Sequence, residues 1–305
     1  MSPMPSLPQT EGLVQEPRRE RLKGSLARIP LFVPFLFVLL FFFVPMIWLV
    51  GTSMSTHAVG SQPQFTGTLE HYARFWTDPF YLETALWTTV RLSVLSTIFA
   101  LIIGYVLAYY IAELPAKSRG LITSMVVVSL SVNIVIRIFG LNVLLMNGGL
   151  VDTTLTLLGM PRMRIMYTEL GVLIGLVQIA VPYVVLPLIG VIAGIDPALK
   201  EAAESVGANK IRTFWAVTFP LSLPGVIAGT LIAFTLNAAA FAIPALMGGG
   251  KVRMMGMMAY DQATVQGNFP FAAAIGISLT LLSIVITAVY LFAINKLFRS
   301  KARSN

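Results

Sequence analysis

The sequence predicts an all-α, polytopic membrane protein with six transmembrane helices, and three observations predict it. Of its 305 residues 56% are hydrophobic and only 11% charged, with a mean hydropathy of +0.82. A soluble domain uses about 25% charged residues to cover its surface, so this chain lacks the charge to face water all round. Apolar runs of about 20 residues, the length that crosses a bilayer core of about 30 Å, recur along the chain. The basic residues, finally, gather on alternate connections between those runs. A soluble enzyme, a disordered regulator and a nucleic-acid-binding domain are excluded together, despite a net charge of +8. There is no cysteine, which removes disulfides, thiolate metal sites and a cysteine nucleophile.

The elements follow in order. Residues 1–29 read as a cytoplasmic N-terminal tail, whose first part (1–17, with four prolines and no apolar periodicity) reads as disordered. The six-helix transmembrane domain spans 30–297, with crossings expected at about 31–53, 84–112, 120–142, 169–194, 220–245 and 270–295. The first rests on the uncharged run Leu31–Val50, which is too long for the 7–15-residue core of a cleaved signal and reads as a retained helix. Leu92–Ala112 gives the second. The third begins at Leu121 and carries Arg137, and the fourth is Leu170–Ile195. Thr213–Gly250 is too long for one crossing, so Pro220 and Pro244 are taken as the ends of the fifth, and Pro270 as the start of the sixth. Residues 298–305 read as a C-terminal tail. Six crossings put both termini on one side. Placing that side in the cytoplasm gives it 14 of the 21 Lys and Arg residues, against five outside, so the positive-inside rule predicts N-in and C-in.

Catalytic chemistry has no place to sit. Both histidines, His57 and His71, fall in the first outer loop, no paired carboxylates lie within a crossing, and no His-Glu-x-x-His pattern occurs. Gly248-Gly249-Gly250-Lys251 lacks the earlier glycine of a phosphate loop and is followed by Val252 rather than Ser or Thr. No catalytic residue, metal ligand or cofactor is assigned. If nucleotide energy is used, another subunit binds the nucleotide.

Between the fourth and fifth crossings lies a polar segment, 196–219. Asp196-Pro197 is a good N-cap with proline at the first helical position, Ala198–Val206 are mostly strong helix formers, and Gly207 suits a left-handed C-cap. A second short helix before Pro220 completes a helix-turn-helix. Glu201-Ala202-Ala203, with Gly207 four residues on and Pro220 thirteen beyond that, resembles the EAA loop of binding-protein-dependent ABC importer permeases. Phe219 stands where that family usually has leucine. Arg137–Leu141, Arg164–Thr168, Pro244–Gly249, Asn268–Ala273 and the stretch from His71-Tyr72 to Asp78–Tyr81 extend the resemblance, toward the spermidine/putrescine permeases of the family, over roughly residues 30–298.

The resemblance implies an inner-membrane subunit that works by alternating access. Its cytoplasmic loop would couple to a dimer of ABC ATPase subunits, with Glu201, Ala202, Ala203, Glu204 and Gly207 as the coupling residues. Further implied partners are a second permease (PotC-like, or a second copy of this chain), a periplasmic solute-binding protein, the lipid bilayer and a small-molecule cargo. The cargo implied is a polyamine, with an opine, amino-acid derivative or other small solute as the alternative. A secondary transporter or channel is the rival of another class, but neither inverted repeats nor membrane-embedded acids are visible.

Polar residues inside the crossings are the candidates for the substrate pathway: Asn133, Arg137, Gln178, Tyr183, Asn237 and Phe241. Each has a plainer reading as a bond between helices. For Arg91 and Arg137 that reading is snorkelling or pairing with outer acids such as Glu83 and Glu169, and the sharper one is contact with cargo or the docked binding protein. Met254, Met255, Met257 and Met258 read as outer packing. Many polyamine permeases carry an acid just before the Leu/Met-Gly-Gly stretch, where this chain has Ala245. Aromatic faces such as Tyr183 and Phe241 are then the available cation-binding surface.

Overall fold

The computed structural model describes residues 29–56, 64–161 and 164–302. The expectations for residues 1–28, for His57 and for the last three residues lie outside them. The chain forms two compact units, one ending at Leu49 and one beginning at Val50. In the first, helix α1 (Ile29–Ser53) holds an apolar stretch, Pro34–Ser53, of mean hydropathy 2.5, and reaches four residues into the second unit. It carries no charged residue.

The second unit opens with a two-stranded antiparallel ribbon, β1 (Ser55–Thr56) and β2 (Gln64–Phe65), pairing Ser55 with Phe65. Helix α2 (Glu70–Thr77) follows. A π-helical segment, Phe80–Leu86, then runs into α3 (Trp87–Glu113). After α3 come α4 (Ala116–Ser131), α5 (Ile134–Leu145), α6 (Leu150–Leu157) and α7 (Glu169–Ala193). Two short helices, α8 (Pro197–Ser205) and α9 (Lys210–Thr213), lead through a second π-helical segment, Phe214–Thr218, into α10 (Phe219–Ala238). The chain closes with α11 (Ala242–Met247), α12 (Met255–Thr264) and α13 (Phe269–Ala302).

Six stretches are long and apolar enough to cross a membrane, as expected, but their construction differs from the expectation in three places. The second crossing starts at Phe80, before residue 84, because the π-helical turn carries the helix back to Pro79. The third is not one helix over 120–142. It breaks at Val132 and Asn133, the stretch long and apolar enough to cross being Ile134–Leu157, and Asn133 caps the new helix by accepting from the Val135 N–H at 2.8 Å. The fifth runs from Lys210 to Ala238 rather than 220–245, because the π-turn ahead of Pro220 absorbs the missing N–H and Pro244 belongs to a separate short helix. Helix α13 also continues to Ala302, through most of the segment expected as a tail.

Helices α3, α7 and α10 form the centre of the unit. Between apolar helices in lipid no hydrophobic force operates, so association depends on close packing. Small residues supply it: a Cβ at Gly229 of α10 would stand 3.0 Å from the Cα of Val184, and one at Gly104 of α3 only 2.9 Å from its Cγ1. Ala100, Ala108, Ala180, Val184, Leu188 and Ala233 fill the same seam and are fully buried. Polar pairs tie the helices at several depths. The Tyr105 hydroxyl shares a hydrogen bond with Ser222 at 2.7 Å, the Asn237 amide donates to Ser96 at 2.8 Å, and Thr230 meets the Tyr290 hydroxyl at 2.7 Å. A smaller cluster at the far end, with Phe75, Tyr81, Ala85, Met255, Met258 and Phe271, packs α2 and α12 over the start of α13.

The seam predicts an asymmetry among glycines. Gly229→Val should cost about 1–3 kcal/mol by overpacking, read as a lowered thermal midpoint of the detergent-solubilised protein. Gly276→Ala, whose Cβ would meet nothing within 4 Å, should not lower the midpoint, since alanine favours the helix it sits in.

Candidate functional site

At one end of the bundle the polar segment folds as a helix-turn-helix. Asp196 caps α8, its carboxylate accepting from the Ala198 N–H at 2.9 Å, with Pro197 at the first position. The helix ends where Gly207 takes φ +85°, a conformation that costs glycine little. There the Gly207 and Ala208 N–H groups donate to Glu204 and Ala203 at 2.9 and 3.1 Å. Asn209 then caps α9 through the Arg212 N–H at 2.8 Å. Of the five residues predicted for this loop, Glu201, Ala202, Glu204 and Gly207 are exposed, whereas Ala203 is half-buried.

Sequence reasoning missed the apolar residues beside them. Val206 is 86% exposed, Ile211 71% and Trp215 60%. Val206 bares its side chain on the polar turn, whereas Ile211 and Trp215 lie at the start of the apolar stretch Lys210–Ala238. Their signal was present as apolar residues interrupting a charged helical segment. Lys200 faces the other way, onto Glu113 at the end of α3 and over the ring of Tyr109.

The in-span candidates separate into three kinds. Arg137, on the second half of the broken third crossing, donates from Nη2 to the carbonyl of Gln178 at 3.2 Å. That carbonyl lies four residues before Pro182, which has no N–H to occupy it. The proline frees an acceptor at membrane depth and the arginine takes it. The expected pairing of Arg137 with an outer acid is therefore corrected, whereas Arg91 does pair with Glu169. Gln178 and Tyr183 are half-buried on the same helix, and Asn133 is exposed at the break. Asn237 is 1% exposed and committed to Ser96, so it joins helices and is removed from the pathway set. Phe241 sits at the break between α10 and α11 and is 45% exposed. Its ring stacks on Tyr260 at 5.0 Å between centroids, next to Asp261, and Ala245 one turn on is exposed as well. Tyr260 carried no signal in sequence, since nothing ties it to Phe241 before the fold does.

The remaining stretches that set the chain's resemblance meet one another. The Tyr167 N–H donates to the Met247 carbonyl at 3.0 Å, and its ring covers Gly249, where a Cβ would lie 2.6 Å from Cδ1. Tyr167 is the described non-glycine residue with positive φ, at 61°. Phe271 packs edge-on to Tyr81 at 5.2 Å, with the Arg74 guanidinium 4.6 Å over its ring. Met254, Met255 and Met258 are buried, as packing requires.

A bundle of apolar crossings with interrupted helices and one capped polar loop is the architecture of a multi-pass membrane permease. Residues 100–299 match the family described as binding-protein-dependent transport system inner membrane component, and the chain belongs to that family of ABC importer permeases of the inner membrane. It is 36% identical to the spermidine/putrescine transport system permease protein PotB of Escherichia coli (strain K12), over 83% of this chain and 92% of the other. It is 32% identical to PotB of Haemophilus influenzae, over 92% of this chain and 98% of the other. In fold it is similar to a chain of the crystal structure of a bacterial alginate ABC transporter in complex with alginate pentasaccharide-bound periplasmic protein. The TM-score is 0.72 at 20% identity, covering 89% of this chain and 94% of that one.

Two substitutions separate the kinds of in-span polar residue. Asn237→Leu should lower stability by about 1 kcal/mol, the scale of an interhelical hydrogen bond, and leave the KM for transport unchanged. Arg137→Met should cost about 1–3 kcal/mol by stranding the Gln178 carbonyl, seen as a lower thermal midpoint.

Proposed function

We propose that the chain moves a polyamine of the spermidine/putrescine type from a periplasmic binding protein into the cytoplasm, as one of two permeases driven by a dimer of ABC ATPase subunits. The observation that carries the reading is the protruding loop. Glu201 and Glu204 stand exposed on α8, whose ends are fixed by Asp196 and Gly207, with the exposed Val206 at its C-cap and Ile211 on α9. An acidic and apolar knob of that form suits insertion into a groove on a cytoplasmic partner. One such loop per chain calls for a second permease, PotC-like or a second copy, to engage two ATPases. The 14 basic residues on the loop's side support an N-in, C-in orientation.

Alternating access follows from differential affinity. Binding protein favours one arrangement of the crossings and ATP the other, since a ligand that binds both equally shifts nothing. Motion entering at α8 reaches α7 and α10 directly along the chain. Helix breaks at Val132–Asn133 and near Phe241 give the third and fifth crossings places to bend, as irregular backbone at membrane depth is tolerated where it lines a cavity.

The relatives' names support a polyamine cargo. In this chain the cation would meet the Phe241–Tyr260 pair and Asp261, with Gln178, Tyr183 and Asn133 as further polar contacts. A second reading, a zwitterionic or anionic amino-acid derivative or opine, is favoured by Ala245 in place of an acid and by the Arg137 cation at membrane depth.

The test is the reconstituted complex in liposomes with the binding protein and radiolabelled spermidine. ATP-dependent uptake and spermidine-stimulated hydrolysis are expected. Stimulation by an anionic amino-acid derivative and none by spermidine or putrescine would replace the first reading by the second. Glu201→Lys should abolish co-purification of the ATPase. Phe241→Leu and Tyr260→Leu, which keep bulk and lose the π-face, should each lower kcat/KM for spermidine by about two- to thirtyfold, in line with 0.5–2 kcal/mol for a cation–π contact.

A further inference from the structure

Helix α8 is joined by the chain to α7, through Gly194–Asp196, and to α10, through α9 and the π-turn. No peptide connection joins it to α3, the third central helix, yet α3 packs along both of the others. Any displacement of α8 therefore reaches α3 through side chains alone. We propose that Lys200, Glu113 and Tyr109 form the latch that couples α8 to α3, so that all three central helices move together when the loop is driven. The proposal rests on the reading of this loop as the point where the ATPase acts.

The contacts are directional. Lys200 immediately precedes the exposed Glu201 but turns inward. Its ammonium pairs with the Glu113 carboxylate on the last residue of α3 and lies 5.7 Å from the centre of the Tyr109 ring one turn earlier. The Lys200 side chain is 22% exposed and that of Glu113 47%. A pair so close to water contributes little to folding stability. Its use lies in fixing the register of two elements the backbone leaves independent.

Behind the latch, Tyr105 and Tyr109 of α3 meet Phe214 of the π-turn edge-on, at 5.6 and 5.7 Å, and Tyr105 meets Phe219 at 5.9 Å. Edge-to-face rings at these spacings attract one another beyond the area they bury. The Tyr105–Ser222 hydrogen bond closes the cluster on α10. The rings thus form a contact between α3 and the fifth crossing, and the ion pair sets where α8 stands on it. Lys200, Glu113 and Tyr109 are positioning residues and touch no cargo.

The test uses the whole complex, with both permeases, ATPase subunits, binding protein and spermidine, and compares Lys200→Glu, Glu113→Lys and the double exchange. Three readouts are taken: ATPase co-purification, basal hydrolysis, and spermidine transported per ATP hydrolysed. Each single reversal should leave the first two within twofold of the unaltered complex and cut the third at least fivefold. The double exchange, which restores an ion pair, should recover at least half of it. A merely structural contact would not move the transport-to-hydrolysis ratio. Unchanged ratios in the single variants, or no recovery in an assembled double exchange, would overturn the latch. Where a reversal prevents assembly, Lys200→Gln and Tyr109→Leu decide, with at least a twofold drop in the ratio expected and no drop overturning the proposal. Failure of the underlying reading has a different signature: Glu201→Lys would then leave ATPase co-purification intact, whatever the latch variants do.

Discussion

Hydrocarbon offers no hydrogen bonds, so every backbone N–H and C=O within the bilayer must be satisfied by the chain itself. Regular helix satisfies them without help from sequence, which is why hydropathy alone locates the crossings. The informative places are those where helix fails. Pro182 leaves the Gln178 carbonyl without its donor, and Arg137 supplies one from a neighbouring helix. Asn133 closes the break in the third crossing with its own side chain. In each case a residue that looks like a functional outlier in sequence answers a backbone need.

The same constraint explains how the bundle is held. With lipid as apolar as leucine, α3, α7 and α10 gain from contact only where their backbones come close, and Gly104 and Gly229 against Val184 provide that approach. Serine, threonine, tyrosine and asparagine then cross-link the seam at fixed depths. The exposed loop at one end of the seam is fixed by caps at both ends of α8.

Charge has been sorted by the same physics. Acids and bases that remain in or near the bilayer find partners at its edges, as Arg91 does with Glu169 and Lys200 with Glu113. The interior offers a cation aromatic faces rather than carboxylates.

Sequence by itself determined the class of protein, the number of crossings and the caps of the protruding helix. All of these depend on composition or on neighbours a few residues apart. Helix propensity, N-caps and a glycine C-cap act locally, so Asp196 to Gly207 was legible as it stands. Tertiary structure alone decided that Asn237 is a buried strut and that Arg137 serves a proline-freed carbonyl. It also decided that Phe241 stacks on Tyr260 and that Lys200 turns away from its acidic neighbour toward Glu113. Those outcomes join residues nineteen to 141 positions apart. No local periodicity encodes them, because which helix faces which is settled by close packing of glycine and alanine surfaces, summed over the whole bundle.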